Sequence, residues 1–101
     1  METISNKKEF DDIINKDTLT IVKFGAEWCG PCRVVDNMLK EYEDSFNIKK
    51  VDIDDDVDDL LIEYDIKTIP VLIWFKNGKK LNSELGAINK DKFLKITNDL
   101  L

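Results

Sequence analysis

The stretch TIVKFGAEWCGPCRVVDNML, residues 20–39, decides the fold, because its apolar pattern changes period in the middle. Thr20 to Phe24 form a β-branched and apolar run that ends at Gly25, the pattern of a buried strand. From Cys32 onward Val35, Met38, Leu39, Tyr42 and Phe46 recur every three or four residues, which predicts a helix. Cys29 and Cys32, the only two cysteines, stand where strand gives way to helix. One residue breaks the pattern: Lys23 puts a positive charge in the strand that feeds this junction.

Outward from that stretch the elements alternate. Upstream, Ser5 is a candidate cap for a helix carrying Phe10, Ile13 and Ile14, with a short extra strand at Thr3–Ile4 before it. Downstream, IKKVDID reads as a strand, and Asp56 is a candidate cap for a helix with Leu60, Leu61 and Tyr64. Val71 to Phe75 is continuously apolar, as expected of a central strand covered on both faces. KNGKK is a hairpin signal leading into LNSELG, and Asn89 is a candidate cap for a last helix with Phe93, Ile96 and Leu100 on one face. The order predicts a layered α/β domain over residues 1–101, parallel first and antiparallel at the end.

Composition narrows the function. The chain has 101 residues, 43% hydrophobic and 36% charged, which suits one globular domain. A net charge of −6 argues against nucleic acid or an anionic membrane as the main partner. No apolar run approaches the roughly 18 residues that span a bilayer. The start METISNKKEF has neither a basic nor an apolar leader region, so a cytoplasmic protein is expected. Without histidine, Ser-His and Cys-His nucleophile systems and most zinc sites drop out. The acidic run DIDDDVDD resembles a calcium loop in spacing, but Val57 stands where such a loop needs glycine. A solvated strand-to-helix turn is the better reading.

A Cys-x-x-Cys pair at the start of a helix can close a small disulfide. The first sulfur then lies beside unpaired N–H groups and the positive end of the helix dipole, which favour a thiolate. Cys29, just before the helix, is the natural nucleophile. Cys32, in the first turn, is better shielded and suited to resolving a mixed disulfide. Pro31 occupies a first-turn position where a missing N–H costs nothing. Two alternatives remain at this point: half of a zinc site shared between two copies, or a pair of inert thiols.

With its surroundings, AEWCGPC resembles the active site of the thioredoxin family. Thr68–Pro70 resembles the family's cis-proline loop, FKNGK its hairpin, and Leu85–Ala87 its closing strand. The resemblance implies a thioredoxin fold, with a mixed four- to five-stranded sheet flanked by four helices in three layers. It implies a thiol-disulfide oxidoreductase that reduces protein disulfides, with Cys29 attacking and Cys32 resolving. Trp28, Gly30, Pro31, Ile69, Pro70 and Gly86 would form the surface that meets a substrate, with Ile69–Pro70 a cis peptide. The expected partners are disulfide-containing proteins and a thioredoxin reductase or its equivalent. The expected form is a monomer with no metal or organic cofactor. A disulfide oxidant or isomerase, and a non-catalytic interaction subunit, are the other functions such a chain could serve.

The sequence departs from the family at one telling place. Members carry a buried Asp at the position of Lys23, paired with a lysine that corresponds to Lys50. Two lysines behind a dithiol call for a counter-charge, since a buried unpaired ammonium is costly. Asp36, four residues after Cys32, shares its helix face. The expectation is that Asp36 pairs with Lys23, and that Lys23, Asp36 and Lys50 form a charge or proton relay. The competing expectation has Lys23 reaching its ammonium out to solvent. A net positive surrounding for the cysteines is expected either way, and Gly25 is expected to remove packing near the site.

Overall fold

The computed structural model describes all residues from 1 to 101. Its elements follow the predicted alternation: β1 (Glu2–Ile4), α1 (Lys7–Ile14), β2 (Thr20–Gly25), α2 (Gly30–Lys40), β3 (Asn47–Asp52), α3 (Asp58–Glu63), β4 (Val71–Lys76), β5 (Lys79–Leu85) and α4 (Lys90–Leu100). The five strands form one sheet in the order β1-β3-β2-β4-β5. β1, β3 and β2 run parallel, and β4 and β5 are antiparallel to their neighbours.

Two apolar layers explain why the sheet is central. On one face Val22, Phe24, Ile73 and Phe75 pack against Phe10 and Ile14 of α1 and Leu60 of α3. On the other, Ile21, Ile48, Leu72 and Trp74 pack against Val35 and Leu39 of α2 and Phe93 of α4. Every residue of β2 is buried, and β4 is buried from Val71 to Phe75. β5 at the edge is mostly exposed and begins with two lysines, which discourages pairing with another chain. No helix is long and apolar enough to cross a membrane.

Helix ends are where expectation and structure part. α1 is capped by Asn6, whose side chain accepts from the Glu9 N–H at 2.9 Å, and not by Ser5. Ile4 is fully buried in the sheet, so the chain turns one residue later than expected. α3 starts after Val57, with no side-chain cap, and not after Asp56. Val57 is fully buried and fixes the turn, while Asp58 and Asp59 place negative charge at the helix N-terminus. α2 ends at Lys40, although the apolar spacing runs on to Phe46. Glu41, Glu43 and Asp44 would lie at the negative end of a longer helix, which disfavours it. Tyr42 and Phe46 reach Phe93 from the following turn instead, at centroid distances of 5.7 and 6.1 Å. Asn89 caps α4 as expected, accepting from the Lys92 N–H.

Candidate active site

The cysteine pair sits at the C-terminal end of β2, where the chain enters α2. Cys29 is the N-cap residue of α2, and its Sγ accepts from the Cys32 N–H at 3.2 Å. The two are joined as a disulfide with Cα atoms 5.2 Å apart. Cys32 is fully buried, whereas Cys29 keeps a 7% exposure. A nucleophile from outside therefore reaches Cys29. Ala26, Ile53 and Ile69 pack around the pair. Arg33 donates from Nε to the Glu27 carbonyl at 3.0 Å, tying the first turn of α2 to the loop before it.

The loops facing the pair come from the same end of the sheet. The Ile69–Pro70 peptide is cis, as the resemblance implied, and Pro70 is buried beside β4. Gly86 has φ +89° and donates its N–H to the Pro70 carbonyl at 2.8 Å, so these two loops are held together. That φ lies in the region natural to glycine. Gly30 opens α2 and Pro31 follows in its first turn, without disturbing the helix. Trp28 is 66% exposed, and its indole N–H donates to Asp54 Oδ2 at 2.8 Å.

Behind the pair, Lys23 is not carried to solvent. Its ammonium lies 2.6 Å from Asp36 Oδ1, with the lysine side chain 4% and the aspartate side chain 22% exposed. Lys23 and Gly25 point to the α2 face by strand alternation, as do Lys50 and Asp52 on the neighbouring strand. Lys23, Lys50, Asp36, Glu27, Asp52 and Asp55 all line a cavity of about 190 Å³. Carboxylates outnumber ammonium groups in that lining, so the surroundings are not net positive as expected. Lys50 stands beside Lys23 in register but takes no part in its ion pair. The space at Gly25 is not lost packing, because the Lys23 side chain occupies it.

A family model described as Thioredoxin matches residues 2–99. The chain belongs to the thioredoxin family. The thioredoxin of Porphyra purpurea is 41% identical over 83 residues, covering 78% of this chain and 77% of its own. That of Mycoplasmoides gallisepticum is 33% identical over 95 residues, covering 91% and 94%. A solved structure of Plasmodium falciparum thioredoxin superposes with a TM-score of 0.82 at 30% identity, covering 100% of each chain. With the family established and the disulfide in place at the helix start, the protein is a thiol-disulfide oxidoreductase of thioredoxin type.

Of the residues singled out in the sequence, Cys29, Cys32, Gly30 and Pro31 share one turn, and Ile69 packs on the cysteines. Lys23, Asp36 and Lys50 gather behind that turn. Asp54 and Ile53 were not foreseen as site residues. Their signal is the parallel register: Gly25 is aligned with Asp52, and the Ile53 N–H donates to the Gly25 carbonyl at 2.9 Å. Residues just past Asp52 must then lie beside the loop that follows Gly25.

Proposed function

We propose that this protein is a monomeric, cytoplasmic reductant of protein disulfides that is itself recharged by a thioredoxin reductase or an equivalent dithiol donor. The carrying observation is the asymmetric burial of the pair, with Cys29 reachable and Cys32 fully enclosed. In the dithiol form, the Cys29 thiolate attacks one sulfur of a substrate disulfide, and the substrate's other sulfur leaves with the electron pair. Cys32, as thiolate, then attacks Cys29 Sγ, forming the internal disulfide and expelling the reduced substrate. Two electrons pass to the substrate. The cysteine pair carries them, so no metal or organic cofactor is called for.

The remaining groups have supporting roles in this reading. Trp28, Gly30, Pro31, Ile69, Pro70 and Gly86 form the surface on which an extended substrate segment lies, with the Ile69 backbone pairing to it in strand fashion. Lys23, Asp36 and Lys50, behind the pair, form the charge and proton relay for Cys32, with the ammonium groups supplying charge and the Asp36 carboxylate accepting and returning the proton. The deciding experiment is turnover of a disulfide-bonded protein with a dithiol donor. Cys29→Ser should abolish turnover, and Cys32→Ser should accumulate a stable mixed disulfide with the substrate. A Cys29→Ser, Cys32→Ser double variant that keeps the wild-type function would overturn the redox reading in favour of a binding role.

A further inference from the structure

Position 25 indicates what the buried lysine does. A Cβ built on Gly25 would lie 2.5 Å from Lys23 Cε, 2.8 Å from Lys23 Nζ and 3.1 Å from Cys32 Sγ. No side chain fits there unless the lysine moves. Two atoms that close to one point are at most about 6 Å from each other, so Nζ stands that near the inner sulfur. An ammonium at such a distance from a buried sulfur favours its thiolate.

We propose that Lys23 stabilises the negative charge that develops on Cys32 Sγ during exchange, and that Gly25 and Asp36 are positioning residues for it. Gly25 leaves the space through which the lysine passes. Asp36 anchors the ammonium from the helix at 2.6 Å. The inference rests on the reading that Cys29 and Cys32 exchange with thiols, and adds the group that governs the inner sulfur.

The chemistry follows atom by atom. When a donor thiolate attacks Cys29 Sγ, a new S–S bond forms there and the Cys29–Cys32 bond breaks. Its electron pair leaves on Cys32 Sγ, as a thiolate beside Lys23 Nζ. That thiolate later takes a proton from the cavity, into which the partly exposed Asp36 opens. In the opposite direction the Cys32 thiol gives its proton to the cavity, and its thiolate attacks Cys29 Sγ of the mixed disulfide. A charge placed where the sulfur becomes anionic acts on both directions of exchange.

Lys50 and Asp52 from β3, Glu27 and Asp55 from the loops, and Asp36 from α2 face the same cavity. The carboxylates oppose ionisation of the sulfur and the lysines favour it. This arrangement predicts opposite signs for the two halves of the ion pair. Lys23→Met leaves Asp36 uncompensated, and should raise the Cys32 titration and slow reduction of the disulfide by a small dithiol. Asp36→Asn leaves Lys23 uncompensated, and should lower the titration and speed that reduction. Gly25→Ala, which crowds the lysine away, should follow Lys23→Met in sign.

The measurement has two arms. In a Cys29→Ser background the ultraviolet absorbance of the single remaining thiolate reports Cys32 directly, whether or not the protein turns over. In the intact pair, dithiothreitol gives the rate of disulfide cleavage. Shifts of about tenfold in thiolate fraction are expected, in opposite directions for the two substitutions. Shifts of the same sign, as from simple loosening of the site, would overturn the proposal, as would an unmoved titration in Lys23→Met. If Lys23→Met does not fold, Asp36→Asn and Gly25→Ala must still diverge in sign. Loss of exchange in the wild-type protein with normal Cys32 shifts would instead sink the reading on which the proposal rests.

Discussion

The indole N–H of Trp28 donates to Asp54 Oδ2 at 2.8 Å, joining the loop after β2 to the turn after β3. An exposed tryptophan beside a reactive disulfide is thereby held in one orientation by a carboxylate from the acidic run. Because both groups face water, the bond contributes less to stability than a buried one would. On the proposed docking surface, its expected effect is to orient the ring for a partner. Asp54→Ala should lower kcat/KM for a protein disulfide about fivefold, corresponding to about 1 kcal/mol of lost orientation. Cleavage by dithiothreitol, which needs no such surface, should stay within about twofold of wild type. Equal losses with the protein disulfide and with dithiothreitol would show that Asp54 acts on the cysteines and not on docking.

A second tryptophan has the opposite setting. Trp74 is fully buried, and its indole N–H donates to Thr97 Oγ1 at 3.0 Å. Thr97→Val keeps the shape but removes the acceptor, leaving a buried donor unsatisfied. Stability should fall by about 1–3 kcal/mol, read as a lower denaturant midpoint with an unchanged slope. Exchange at the cysteines should be unaffected in the folded protein. An unchanged midpoint would mean that water replaces the hydroxyl.

Alkaline pH probes the other core layer. Tyr64 packs against Phe10, Phe24 and Phe75, and its phenol is pushed up to about 12, by burial first and then by the charge of Glu63. A raised folded value favours the neutral phenol in the folded state. Its contribution to stability is therefore whole below the ordinary value of 10 and is lost as pH rises toward 12. In a Tyr42→Phe variant, where only Tyr64 remains to titrate, tyrosinate absorbance should rise near pH 12. Tyr64→Phe should flatten the pH dependence of stability between those limits. A tyrosinate midpoint near pH 10 in the folded protein would contradict the packing described for this ring.

The outline of the molecule was legible in the sequence because it is written in local patterns. The change of period around residue 29 separates β2 from α2, and the unbroken apolar run from Val71 marks a strand covered on both faces. Helix ends were less legible. The expected cap was Ser5, whereas Asn6, equally suited by residue type, takes the position next after Ser5, with Ile4 buried in the sheet. The apolar spacing through Phe46 describes side chains that do reach the core, but from a turn, because the acidic residues after Lys40 oppose more helix.

By itself the sequence pointed to the reaction: two cysteines at a helix start permit thiol-disulfide exchange, and the resemblance of AEWCGPC and its companion motifs to the thioredoxin family selects it over a shared zinc site or inert thiols. It also raised the question of Lys23 and offered Asp36 as the counter-charge. Tertiary structure decided where that charge is held. The docking of α2 on the sheet brings Asp36 to 2.6 Å from the ammonium, and strand alternation puts Gly25 on the same face as Lys23. The parallel register carries Asp54 to Trp28. The pairings of Asp36 with Lys23 and of Asp54 with Trp28 join residues far apart in the chain, and their geometry is set by how layers pack, a quantity no local periodicity contains.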